Sequence, residues 1–192
     1  MIERTVRTAA ILFVLLIGGC STSYFPAGSL DPTSSDLDNF VNDWYSAHLS
    51  AMSEPVLVPK PDRRTYRFTW LRSFHRPIAI RVDATSEGAT LTAVELDGAG
   101  GYDPGKELRR IERKLDPGVL TELEALLEHH KFWSLPAREE RLGLDGAEWI
   151  VEVATDRYHV VVRWSPEEGP VRAIGDYFIS LTKWEIGTDE LY

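Results

Sequence analysis

Large apolar and β-branched residues recur at every second position in two separate parts of the chain, and this spacing constrains the fold more than any other feature. Side chains of a strand point alternately to opposite faces, so a period of two marks a strand. In the first part, Tyr66, Phe68 and Trp70 alternate with Arg67, Thr69 and Leu71. Ile78, Ile80 and Val82 follow, then a turn signal at Ser86-Glu87-Gly88. Leu91, Ala93 and Glu95 then alternate with Thr92, Val94 and Leu96. In the second part, Trp149, Val151 and Val153 alternate with Ile150, Glu152 and Ala154, and Thr155-Asp156-Arg157 turns the chain. Tyr158, Val160, Val162 and Trp164 return, and the reading places the first three on one face with Trp149, Val151 and Val153.

Helical spacing separates and flanks these parts. Leu37, Phe40, Val41, Trp44, His48 and Met52 give an amphipathic helix over 36–52, with Ser35 and Asp38 as a capping pair and Pro55 as its stop. The bland reading packs this helix on the domain; the sharper one puts its Phe/Trp face against a membrane or partner. Asp116-Pro117 is an N-cap followed by proline at the first helical position. Val119, Leu120, Leu123, Leu126 and Leu127 then form an apolar stripe, and Phe132 and Trp133 are core plugs. Val171, Ile174, Phe178 and Leu181 make a third stripe over 170–184. Residues 107–115 suit helix or strand, and the reading leans to strand. The order α-βββ(β)-α-ββ-α predicts an α+β fold: an antiparallel sheet of five to six strands with helices packed on one face.

The segments FVNDWYSAHL, YRFTWLRSFHRPIAIRV, ELDGAGGYDPG, HKFWSLP, LDGAEWIVE and RYHVVVRWSP together resemble a family of uncharacterised bacterial proteins with no established function. The resemblance spans residues 40–184. It implies one domain and carries no activity with it. That family often has an aspartate after its Tyr-His-Val-Val run, where this chain has Val162.

The N-terminus predicts an address. Arg4 and Arg7 precede an apolar run over residues 9–17, too short to span a bilayer, which needs about 20 residues. The run fits the apolar core of a secretory signal. Gly18 and Gly19 then precede Cys20, the only cysteine of the chain. This resembles the bacterial lipobox, in which small residues enter a narrow peptidase cleft and the thiol takes a diacylglycerol. The organisation expected is a signal peptide over 1–19, a lipidated Cys20 with a flexible tether over 20–35, and a single domain over 36–192. A chain starting near Ser35 should then fold alone. Ser21, in place of aspartate, resembles the Gram-negative pattern for the outer membrane. Two or more acyl chains hold a protein stably on a bilayer.

Removing residues 1–19 takes away two arginines and one glutamate and leaves a net charge of about −10. An acidic chain is a poor binder of nucleic acid or anionic lipid through net charge. Residues 100–107, GGYDPGKE, approach the phosphate-cradling loop, but Glu107 replaces its hydroxyl and Pro104 interrupts its N–H groups. The simpler reading is a turn with glycines at positive φ, and no nucleotide or other cofactor is expected. The five histidines (48, 75, 129, 130 and 159) show no metal spacing, and no nucleophile motif or free thiol appears. Glu139-Glu140 reads as a solvated pair.

Aromatic residues and arginines dominate binding hot spots. On this basis Arg72, His75, Tyr102, Asp145 and Arg163 are the candidate ligand-binding residues, with no catalytic residue assigned. The expected role is a membrane-anchored envelope module, held by lipid on Cys20, with a protein or glycan partner. The alternative is a small envelope hydrolase or glycan-modifying enzyme built around His75, Asp145, His159 and Arg163, which requires those four side chains to converge.

Overall fold

The computed structural model describes residues 22–139, 143 and 145–192. Cys20, the apolar run before it and Glu140 lie outside the described residues. Helix α1 (Ser35–Ala51) is followed by strands β1 (Arg64–Arg72), β2 (Ile78–Thr85), β3 (Gly88–Leu96) and β4 (Glu107–Leu115). Helix α2 (Pro117–His129), strands β5 (Ala147–Ala154) and β6 (Tyr158–Trp164), and helix α3 (Pro170–Thr182) complete it. The strands form one antiparallel sheet in the order β4-β3-β2-β1-β5-β6. The fold is therefore α+β, in the order the alternation predicts, with residues 107–115 a strand. The two alternating parts join through β1 and β5, where Trp70 lies opposite Trp149 and Phe68 opposite Val151.

The helices do not share one face. Leu123, Leu127, Ile174 and Phe178 of α2 and α3 pack on Phe68, Trp70, Ile80, Leu91, Trp149 and Val151. Helix α1 covers the opposite face, where Tyr45, Leu49 and Met52 meet Leu71, Val94, Ile150, Val160 and Val162. The reason is in β1 and β5. Their second sets of side chains include Leu71 and Ile150, too apolar to leave in water, so a second layer is required. Every residue of β5 and all but the first of β1 are buried.

The second hairpin also differs from the expected pairing. Val153 lies opposite His159, and Ala154 opposite Tyr158. Direct partners share a face. A three-residue turn links partners whose numbers are both even or both odd, so Tyr158, Val160 and Val162 go with Ile150 and Glu152 under α1. His159 and Val161 go with Trp149, Val151 and Val153. The buried Val162 belongs to the α1 side of the core.

Residues 22–34, which composition marks as a tether, are part of the packed domain. Tyr24, Phe25 and Leu30 are buried against α1. The Tyr24 N–H donates to Ser46 Oγ at 3.0 Å, and Asn42 Nδ2 donates to the Phe25 carbonyl at 3.0 Å. The N-cap of α1 is Ser34, which accepts from Leu37 N. Asp38 turns instead to this segment, accepting from the N–H groups of Gly28 (2.7 Å), Leu30 (2.9 Å) and Asp31 (3.0 Å).

Burial of a tyrosine, a phenylalanine and a leucine stabilises by about 1.5–3 kcal/mol each. A chain starting at Ser35 should therefore unfold at markedly lower urea than one starting at Thr22. Coincident urea melts of the two chains would place residues 22–34 outside the core.

Candidate functional site

Three of the candidate residues meet at one end of the sheet. Strand β1 ends at Arg72, and residues 73–77 turn the chain into β2. The glycine-rich segment 97–106, between β3 and β4, folds back onto this turn. Gly100 N–H donates to the His75 carbonyl at 3.0 Å, and Gly101 N–H to the Ser73 carbonyl at 3.3 Å. Gly98 and Ala99 N–H groups bond within the loop, to the carbonyls of Pro104 and Asp103. These donors already have backbone partners and are not held out to a phosphate. Of the loop glycines only Gly105 has a positive φ, +74°. At Gly100 the requirement is close approach: a Cβ would lie 2.5 Å from Arg72 N. From the other side, Trp44 Nε1 of α1 donates to the Gly100 carbonyl at 2.9 Å.

Arg72 is buried beneath this turn. It bonds Glu190 Oε2 at 2.5 Å and the Arg76 carbonyl at 2.7 Å, with its guanidinium 4.2 Å from the Trp70 ring centre. Burial lowers its proton affinity, and Glu190 opposes that. His75 Nδ1 lies 2.7 Å from Tyr192 Oη, and the Tyr192 carbonyl accepts from Trp149 Nε1 at 2.9 Å. Above these residues lies a cleft of about 440 Å³, lined by Phe74, His75, Arg76, Glu95, Asp97 and Arg109 on one side and by Glu185, Ile186 and Glu190 on the other. Arg109 pairs with Glu95 at 2.6 Å and stacks on Trp184. Exposed Tyr102 faces Phe74, with ring centres 6.1 Å apart. The cleft thus combines paired charges with an exposed aromatic rim.

The other candidates do not line this cleft. Asp145 is exposed at the same sheet end, next to Gly146, whose N–H donates to Ser73 Oγ. Arg163 pairs with Glu139 at 2.8 Å and lines a second cavity of about 350 Å³ with Leu135, Trp164 and Pro166. His159 packs between Phe132 and Trp133, and its Nε2 lies 3.0 Å from the Leu135 carbonyl. Burial lowers its pKa. His75, His159 and Arg163 therefore take three different partners, and the four residues of the hydrolase alternative line no common cavity among the described residues.

Sequence reasoning missed the buried charges on the α1 face. Arg67 and Glu152 lie directly opposite each other on β1 and β5, both fully buried, in a two-pronged pair of 2.7 and 2.9 Å. Arg67 Nη1 also donates to the Pro55 carbonyl at 2.8 Å, with Glu54 3.5 Å away. Tyr158 Oη donates to Glu152, and Arg81 Nε bonds Glu54 at 2.8 Å. A second buried group joins Tyr45, Arg138 and Glu148, where Arg138 Nη2 donates to Tyr45 Oη at 2.6 Å. Burial raises the Glu148 pKa, against the pull of Arg138. The available signal was a charged residue of opposite sign at the middle of each of two apolar alternations. His48 is also buried, with Nδ1 bonded to the Trp44 carbonyl at 3.0 Å.

Among the described residues no group of three or more His, Cys, Asp or Glu is placed to hold a metal ion. No family model matches the chain, and no curated protein matches it.

Two tests follow from these buried groups. Arg67→Met leaves Glu152 buried without its partner and should cost about 3–5 kcal/mol; the double substitution with Glu152→Met should recover much of that. Urea melts that show additive losses would dissociate the two residues. The second concerns pH. Burial holds His48 below its ordinary pKa of 6.5, so the unfolded chain takes up a proton first as pH falls. The His48 contribution is present above that value and is lost as pH drops through it towards the folded pKa. Stability should fall between about pH 7.5 and pH 5.5, less steeply in His48→Gln, as urea midpoints across that range would report. Equal slopes would remove His48 from the effect.

Proposed function

We infer that the chain is a lipid-anchored protein of the bacterial cell envelope, acting as a binding or structural module. The observation that carries this reading is Gly18-Gly19-Cys20 at the end of the apolar run over 9–17. Cys20 is the acylated residue, and Ser21 directs the protein to the outer membrane. No helix among the described residues is long and apolar enough to cross a membrane. The cleft beside His75 is the binding place. Its Arg109–Glu95 and Arg72–Glu190 pairs engage one another rather than converging on an open centre, which suits recognition better than bond cleavage. The exposed rings of Phe74 and Tyr102 offer a surface for a protein or glycan partner.

Cells grown with a labelled fatty acid should yield labelled wild-type protein, with the mature chain starting at Cys20. Cys20→Ala should be unlabelled and uncleaved. Wild-type protein without label would overturn the anchor.

A further inference from the structure

Residues 184–192 run from the end of α3 across the sheet end where β1 finishes. Trp184, Ile186, Leu191 and Tyr192 pack against the core, but each keeps part of its surface in water, and Glu185, Gly187 and Thr188 are exposed. The N–H groups of Trp184, Glu190 and Leu191 bond to Thr182, Gly187 and Thr188, close by in sequence and not in the sheet. The groups beneath are different in kind. Trp70 and Trp149 are fully buried, and Arg72 is 1% exposed. The Tyr192 carbonyl accepts from both indoles, Trp149 Nε1 at 2.9 Å and Trp70 Nε1 at 3.4 Å. The Glu190 carboxylate takes Arg72 Nη1, and the Leu191 carbonyl takes Arg172 Nη1 at 3.4 Å. Buried Arg72 Nε has no partner among the described residues. The fixed side therefore presents donors, from two guanidiniums and two indoles. The segment answers with acceptors, while its Tyr192 phenol meets His75.

We propose that these donors form a peptide-binding site, filled here by the chain's own residues 190–192, whose external ligand is a segment of another protein with a carboxylate side chain two residues before an aromatic one. The proposal rests on the cleft beside His75 being the binding place, since Glu190 forms part of that cleft's wall. An outer segment held mainly through side chains opens without unfolding the domain beneath it. An arriving carboxylate and carbonyl then take up the same donors, and the planar fork of Arg72 suits a carboxylate. A neutral or basic segment cannot replace Glu190, because it would cover Arg72 without a counter-charge. Tryptophan and arginine are also the residue types that anchor interfaces.

The test uses the full-length protein and a fluorescent peptide with the sequence of residues 186–192, IGTDELY. The tethered segment competes at an effective concentration in roughly the millimolar range, so wild-type protein should bind the peptide weakly. Glu190→Gln and Tyr192→Ala each loosen the segment and leave the donors in place. Both should bind at least about tenfold more tightly by fluorescence anisotropy, with a shift of the Trp149 indole N–H resonance. A peptide carrying Glu190→Gln and Tyr192→Ala should not bind. In wild-type protein alone, the Trp149 indole N–H should exchange with solvent faster than the amides of β5. Exchange of both at one rate makes the segment a fixed part of the core and overturns the proposal, whether or not the variants fold. A Trp149 resonance of wild-type protein unmoved by peptide at millimolar concentration overturns it too, as does a folded variant that binds no peptide. Equal affinity for wild type and variants, lost on Arg76→Ala, overturns the release and keeps the cleft as the binding place. Equal affinity untouched by Arg76→Ala overturns both.

Discussion

Arg67 and Glu152 face each other across β1 and β5, both fully buried, and the α1 layer depends on them. Burying such a pair is costly unless every polar atom is engaged. Here the partners come from four different elements: β1, β5, the segment after α1 through Pro55 and Glu54, and β6 through Tyr158. The helix cannot shift along the sheet without leaving a buried charge unpaired. The group therefore fixes where α1 lies, and with it the position of Trp44 over the glycine-rich loop. Arg138, between Tyr45 and Glu148, repeats the arrangement nearer the sheet end.

Strand order and helix order were legible because each element carries its own period. Trp149, Val151 and Val153 announce a strand without knowledge of anything else. What was not legible depended on counting across elements. The face of Val160 follows from the parity of a turn, and the side taken by α1 follows from Leu71 and Ile150, read only when both faces of β1 and β5 are considered. Residues 22–34 look like a linker because serine, threonine, proline and glycine make up most of them. Tyr24, Phe25 and Leu30 were the contrary signal. Asp38 needed the fold, since its three N–H partners have no marker in sequence.

For the candidate site, residue types carried part of the way. His75 lines the cleft, Arg72 lies buried beside it against Glu190, and Tyr102 stands outside it against Phe74, because a turn, a loop and a residue more than a hundred positions later meet at one sheet end. Arg163 and His159 share the qualifying chemistry but take partners of their own in Glu139 and Leu135. Side-chain type selects groups able to bind, while convergence is a property of the sheet ends.

The outer strands bear on what happens between copies. Strand β4 carries Arg109, Arg110, Glu112, Arg113 and Lys114 in close succession, and its pairing with β3 is interrupted by an irregularity at Glu95/Leu96. At the opposite margin, Val162 N–H donates to the Ala137 carbonyl, so part of that margin is already occupied. Exposed strand margins invite further strands, and charge and cover both discourage them. Molecules confined to a plane meet far more often than the same number in solution. Crowded side by side on a surface, these domains would repel or slide past one another instead of zipping into a continuous sheet.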